Sequence, residues 1–258
     1  MNLSRSVYYY KSYRDDRVVI EKMQSMVEKR PTDGFWKMYE RIRKEGLLWN
    51  HKRIHRVYKL LKLNMKRKGK RRLPARILKP LEAVHQINVS WSMDFMTDSL
   101  LTGRKFRTLN LMDDYNREAL AIEIDTSLPA ERVVRVLSQT IEWRGRPKSI
   151  RVDNGPEFIS STLGLWCEEK GISLHFIQPG KPTQNAYIER FNGSFRKDVL
   201  NAYLFEDIRH VRLLAEEWMD DYNNDRPHDG LGGRSPVELL AVDSCKTRDE
   251  FHTNPQPL

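Results

Sequence analysis

The stretch that most restricts how this chain can fold is Val89 to Thr97, V-S-W-S-M-D-F-M-T. It reads as a β-strand, yet Asp94 sits inside it between Met93 and Phe95. A carboxylate in an apolar strand is costly unless it is paired or neutralised by a cation. Any fold that buries this strand must therefore bring the compensation with it. Two further carboxylates stand at suggestive places. Asp153 follows the short apolar run Ser149 to Val152 and opens a tight turn, D-N-G-P-E-F. Glu189 comes after 35 intervening residues, on a stretch with helical spacing.

The pattern around them predicts a mixed α/β sheet. Phe106 to Met112 reads as a strand returning from the Leu101–Arg104 turn, and Leu120 to Ile124 as a third strand. Pro129 to Trp143 carries helical spacing in Val133, Val134, Val136, Leu137 and Ile141, closed by Gly145 and Pro147. Ser149–Val152 is a fourth strand, Ser161–Lys170 a helix and Ile172–Phe176 a fifth strand. The fourth strand is expected beside the first, with helices on the faces of the sheet. The helix bearing Glu189 has a core stripe, Ile188, Phe191, Phe195 and Val199, and a polar stripe, Asn185, Glu189, Asn192 and Arg196. A last helix is expected over Ile208–Tyr222, with Val211, Leu214, Ala215 and Trp218 on one side.

The first third of the chain has a different character. The net charge of +10 divides into +16 over residues 1–88 and −6 over the remainder. A basic arm on an acidic body points to a polyanionic partner, although a solvated basic face would have the same composition. Helices are expected over 14–29, 35–45, with Trp36, Tyr39 and Ile42 along one side, and 51–62, with Asn50 as the cap of the third. Helix, short turn with Gly46, then a helix whose outer face carries Lys52, Arg53, Arg56 and Lys59 is the layout of a helix-turn-helix. His51 and His55 lie one turn apart without a third ligand nearby, so contact with phosphate or solvent fits better than zinc. Lys66, Arg67 and Lys68 open a linker with six cations in seven residues, suited to tracking a phosphate backbone. The expected organisation is an all-α helix-turn-helix region (1–65), a basic linker (66–87), a catalytic core with C-terminal helices (88–242) and a loose tail (243–258).

Three carboxylates from different elements are what magnesium-dependent phosphodiester chemistry asks for. Magnesium takes hard oxygen ligands, and two ions about 4 Å apart can serve the attacking and leaving oxygens. Asp98, Asp113 and Asp114 compete with Asp94 for the first position. Asp113 and Asp114 fall in a turn where Asp is expected for turn geometry alone, and Asp98 flanks a hairpin. Glu189 and Arg196, taken alone, would pass for the solvated side of a helix. Arg226-Pro227-His228 reads as a helix stop followed by a turn.

In this arrangement the chain resembles the DDE transposase/integrase core, a ribonuclease-H-like fold. Within it, the closer resemblance is to insertion-sequence transposases whose catalytic subunit is the second of two overlapping reading frames, the OrfB type. The strings that carry it are W-S-M-D-F-M, R-V-D-N-G-P-E-F, Q-P-G-K-P-T-Q-N-A-Y-I-E-R-F-N-G-S-F-R, D-Y-N-N-D-R-P-H-D-G-L-G and R-S-P-V-E, in order. G-L-L-W-N-H-K-R-I-H-R-V-Y resembles the helix-turn-helix that precedes such a core. The resemblance implies metal-dependent cleavage at transposon ends and strand transfer by a 3′-hydroxyl, without a covalent protein–DNA intermediate. It implies Asp94, Asp153 and Glu189 as catalytic ligands of magnesium or manganese, with two ions expected. Lys181, Asn192 and Arg196 are expected to join the N-terminal cations in contacting DNA. It also implies a multimer on DNA and a helix-turn-helix/leucine-zipper partner from the upstream frame, whose end the opening L-S-R-S-V-Y-Y-Y resembles. No apolar run reaches the length of a membrane span, and Cys167 and Cys245 form no CxxC pair, so a bacterial cytoplasmic, nucleoid-associated protein is expected.

Overall fold

The structure is a computed structural model, and it describes residues 15–64, 84–155, 157–178 and 185–243. The chain divides into two compact units, Met1–Arg71 and Arg72–Leu258. Each is considered by itself.

Among its described residues the first unit has three helices: α1 (Arg17–Lys29), α2 (Phe35–Lys44) and α3 (His51–Leu60). Val19, Met23 and Met26 from α1, Met38 and Ile42 from α2, and Ile54, Val57 and Tyr58 from α3 make one buried cluster. The side of α2 that turns inward is therefore Met38 and Ile42. Trp36, expected along the inner stripe with Tyr39 and Ile42, is 62% exposed. The residue that rotates the stripe is Arg41, which is buried on the same face as Met38 and pairs with the buried Asp33 at 3.0 Å. Asn50 caps α3 as its identity predicts, its side chain accepting from the Lys52 amide. Gly46 takes φ +83° after α2, and the Leu47 amide reaches back to the Ile42 carbonyl. That left-handed position is where a β-carbon would be strained.

The second unit is built on β1 (Ser90–Ser99), β2 (Lys105–Asp113), β3 (Ala119–Asp125), β4 (Ser149–Val152) and β5 (Ser173–Phe176). The strands lie in the order β3-β2-β1-β4-β5. The first three form an antiparallel meander, while β4 joins β1 in parallel and β5 joins β4 in parallel. Crossover connections of this kind use helices: α4 (Ala130–Arg144) leads to β4, and α5 (Ser161–Lys170) leads to β5. Next come α6 (Ala186–Phe195), a π-helical segment (Arg196–Leu200) and α7 (Ile208–Asn224).

The pleat sorts the side chains between two cores. Trp91, Met93, Leu109 and Leu111 point to one face, where α4 and α5 cover them with Val133, Leu137, Leu163 and Cys167. Met96, Phe106 and Met112 point to the other, where α6 and α7 bring Ile188, Phe191, Phe195, Val211 and Trp218. The alternation has a period of two along each strand, so Asp94 necessarily lies on the α6 side and Phe95 on the α4/α5 side.

Three acidic residues near the first one turn out to build this frame. Asp113 is fully buried and accepts from the amides of Asn88 and Tyr115. Asp114 accepts from the hydroxyls of Ser90 and Ser92 and pairs with Arg151, tying β1 to β4 at their starts. Asp98 pairs with Arg196 at 3.3 Å. Ser235 and Glu238 form a reciprocal capping box at the start of the helical stretch 236–243, which explains the R-S-P-V-E string.

Behind α6, Arg226 and Asp198 form an ion pair with both side chains 7% exposed, and Trp218 donates to the same carboxylate. Removing one member leaves the other charged and buried. Arg226→Ala is expected to lower the unfolding free energy by about 3–5 kcal/mol. The joint replacement Arg226→Met with Asp198→Leu should recover most of that loss, and urea titrations of both variants check it.

Candidate active site

Asp94 sits midway along β1, opposite Asn110 of β2. Its Oδ1 accepts from the Phe95 amide (2.8 Å) and its Oδ2 from Asn192 Nδ2 of α6 (2.8 Å). The Asn192 oxygen in turn accepts from Asn110 Nδ2 (2.6 Å). A buried chain of two amides thus connects the carboxylate to its cross-strand neighbour. Asn192 is 8% exposed and its amide is spent within the protein. Expected from the sequence to touch DNA, it holds the Asp94 carboxylate in this structure.

Asp153 follows β4 at its C-terminal end, the end at which α/β sheets present ligands. Its Oδ1 accepts from the Gly155 amide at 2.9 Å. A β-carbon on Gly155 would stand 2.9 Å from that same oxygen, so a larger residue there would push the carboxylate aside. Glu189 lies in the first turn of α6 and is exposed.

Electrostatics places the three in one neighbourhood. Burial pushes the Asp94 carboxyl up to about 6, and the negative charges of Asp153 and Glu189 push in the same direction. The Phe95 amide and Asn192 pull it back without cancelling the rise. The site is therefore a concentration of negative charge around a partly buried acid. Among the described residues no three Asp, Glu, His or Cys side chains close into a ligand cluster. The carboxylates influence one another without being drawn together.

Helix α6 is fastened to the sheet at three levels. At its start the Arg117 guanidinium lies over the Tyr187 ring, 3.1 Å from its centroid. In the middle Asn192 bonds Asp94. At its end Arg196 bonds the Thr97 carbonyl (3.1 Å) and Asp98. Arg196 is thus bound to β1 while still 40% exposed.

On the back of the sheet, Glu157 pairs with Arg107 of β2, which holds the Glu157 carboxyl below its ordinary range. Sequence reading passed over this pair, because a strand arginine and a turn glutamate fifty positions apart carry no local signature.

The other expected DNA contacts separate into groups. Lys52 and Lys59 are exposed on α3. Arg53 and Arg56 turn instead to Asp16 before α1, Arg53 at 3.0 Å and Arg56 at 2.5 Å, so half of that basic face is neutralised from within the unit. The same bonds explain why Asp16, at the N-cap of α1, does not cap it with its side chain. His51 and His55 pack edge-on against Tyr39 and Phe35. Lys66, Arg67, Lys68 and Lys181 lie outside the described residues. His228 packs against Tyr222 and its Nε2 lies 3.3 Å from the Tyr222 carbonyl, a structural placement.

Comparison with known proteins agrees with this architecture. The integrase core domain matches at residues 84–182, and a second integrase core model matches at 170–236. The chain is 37% identical over 243 residues to the insertion element IS407 uncharacterized 31.7 kDa protein of Burkholderia multivorans, covering 93% of this chain and 88% of that one. It is 25% identical over 251 residues to the transposase InsD of insertion element IS2 of Escherichia coli, covering 90% of this chain and 81% of that one. In fold, the chain is similar to the HTLV-2 integrase catalytic core in complex with magnesium, with a TM-score of 0.50 and 19% identity. That match covers 61% of this chain and 99% of the viral one.

The mixed sheet with flanking helices is thus the ribonuclease-H-like fold of integrase cores. The chain belongs to the insertion-element DDE transposases of the OrfB type. It is a polynucleotidyl transferase of DNA transposition. No helix among the described residues is long and apolar enough to cross a membrane.

The raised Asp94 pKa has a stability consequence. Above about pH 6 the folded state carries the ionised, disfavoured carboxylate, whereas the unfolded chain ionises near 3.8. Between those values the folded state binds the extra proton, so this group's contribution to stability rises as pH falls from 6 towards 4. Asp94→Asn should therefore be more stable than the parent at pH 7.5 without metal, by roughly 1–3 kcal/mol. The difference should shrink towards pH 4, which thermal melts across that window would register.

Proposed function

We propose that Asp94, Asp153 and Glu189 are the catalytic carboxylates, and that together they hold the divalent metal, magnesium or manganese, as a pair of ions. The observation that carries this reading is the charge state of Asp94. A partly buried acid pushed up to about 6 beside two further carboxylates is a site short of positive charge. The donors are all oxygen, which suits hard cations rather than zinc or copper. When bound, the metal makes the attacking hydroxyl a better nucleophile and offsets charge building on the phosphodiester.

The protein's own residues set the geometry for that chemistry. Asn192 and the Phe95 amide orient Asp94, and the Gly155 amide orients Asp153. Glu189, exposed on α6, completes the set when the transposon end is seated. In the transfer step a 3′-oxygen of the transposon end bonds to a target phosphorus as the target's own 3′-oxygen leaves. No protein nucleophile is consumed, in keeping with the lack of a Ser, Cys or Tyr role in the trio. Arg196, bound to β1 yet part exposed, faces the DNA beside the site.

The three-helix unit serves as a helix-turn-helix that recognises the transposon ends, with α3 as its basic helix and Lys52 and Lys59 meeting phosphate. The cations of segment 66–87 contact DNA phosphates. The assembly acts as a multimer on nucleoid DNA in the bacterial cytoplasm, with the upstream-frame helix-turn-helix/leucine-zipper protein as fusion or partner.

The test uses linear DNA carrying the element's terminal repeats, with magnesium and, in parallel, with the upstream-frame protein. End-specific nicking and joining are expected, and both should stop on chelation and return with magnesium or manganese. Asp153→Asn and Glu189→Gln should each reduce joining by at least roughly a thousandfold while end binding persists in gel shifts. Retained joining in either would sink the metal assignment. Lys52→Ala with Lys59→Ala should weaken end binding and reduce its dependence on salt by about two phosphate contacts.

A further inference from the structure

The ladder that joins β1 to β4 stops short of the carboxylates. Its paired residues are Ser90, Ser92 and Trp91 against Ser149, Arg151 and Ile150, and it goes no further. From Asp94 onwards β1 is paired only with β2. Asp153 stands on a turn that has already left the sheet. Backbone hydrogen bonding therefore does not set its distance from Asp94.

A side-chain assembly on the back of the sheet spans that gap. Phe158, at the end of the same turn, is 1% exposed and stacks on Phe95 with ring centroids 4.8 Å apart and planes at 22°. Arg107 of β2 lies over the same Phe95 ring, its guanidinium carbon 4.3 Å from the centroid, and closes the ion pair with Glu157. Phe95 is also the residue whose amide bonds Asp94. Glu157 Oε2 and Asp153 Oδ1 both lie around the position a Gly155 β-carbon would take, at 3.5 Å and 2.9 Å. Four residues behind the sheet thus connect the two turn and strand segments that carry the front carboxylates.

We propose that Arg107 and Glu157 are positioning residues for the transposase reaction, a clamp that sets the separation of Asp153 from Asp94. This rests on the assignment of Asp153 as a metal-binding carboxylate. The pair sits at a partly exposed margin, 29% and 23% for the two side chains, so it is not needed to fill the core. Its contribution is geometric. With the ion pair gone, Phe158 stays buried but the turn between Gly155 and Phe158 loses its anchor to β2, and Asp153 acquires freedom relative to β1. Metal affinity falls because a ligand set held loosely must be ordered on binding.

The experiment is a magnesium titration of strand joining with the full chain on DNA bearing the terminal repeats, run on Arg107→Gln, Glu157→Gln, the exchanged pair Arg107→Glu/Glu157→Arg, and Asp153→Asn. Each single variant should raise the half-saturating magnesium concentration by roughly 10- to 100-fold, with end binding and melting temperature close to the parent. The exchanged pair should return it most of the way. Unchanged magnesium dependence in both single variants overturns the clamp. So does a loss of end binding in Arg107→Gln that Glu157→Gln does not share, which would make Arg107 a DNA contact. Should a single variant fail to fold, the exchanged pair decides: parental magnesium dependence supports the clamp and a weakened one overturns it. Joining that survives Asp153→Asn overturns the metal assignment itself. Joining lost there but untouched in Arg107→Gln overturns only the clamp.

Discussion

The second unit is arranged around the cost of placing one carboxylate inside a sheet. Asp94 could be avoided by folding β1 out of register, but a one-residue slip would carry Trp91, Met93 and Phe95 to the wrong face. The two hydrophobic clusters therefore force the acid inward. What makes its burial tolerable is supplied from both directions: the Phe95 amide along the strand, and Asn192 from α6 with Asn110 behind it. These bonds soften the penalty without removing it. A folded state that retains an uncompensated charge of this kind is one whose stability has been given up locally for reactivity.

The same pleat divides labour between the faces. On the front, polar groups from α6 meet Asp94, and the helix is fastened by Arg117, Asn192 and Arg196 at successive levels. On the back, aromatic stacking and an ion pair secure the turn after β4. Phe95 belongs to both, with its ring behind and its amide in front. Anything that shifts this one residue along β1 moves the orientation of Asp94 and the seat of the Asp153 turn together.

Much of this was legible in the amino-acid order, and what was not has a common physical reason. Ser149–Val152 and Ser161–Lys170 have the bounds their patterns predict, and Ile188, Phe191, Phe195 and Val199 are all buried as their spacing requires. Periodicity reports which side of an element is apolar. It does not report which charged groups will meet across the fold. Arg53 and Arg56 look like a free basic face until Asp16, some forty positions earlier, is brought against them. Asn192 looks like surface until the helix is laid on β1, and Arg107 and Glu157 have no visible relation before the meander forms. Trp36 misleads for another reason: the buried Arg41–Asp33 pair moves the inner side of α2 by one residue, and an arginine is not read as core.

The order of the strands also bears on when such a site can exist during synthesis. The β1–β2–β3 meander pairs neighbours close in sequence, so its loops close cheaply and early. The β1–β4 ladder joins positions about sixty residues apart and must wait for α4. A nascent chain therefore presents Asp94 in a formed sheet edge before the partner strand has docked, and Glu189 later still. Under the proposed assignment, a chain that ends before β4 holds Asp94 alone, one that ends after the Asp153 turn holds two of the three acids, and the set is complete only once α6 has been laid on β1.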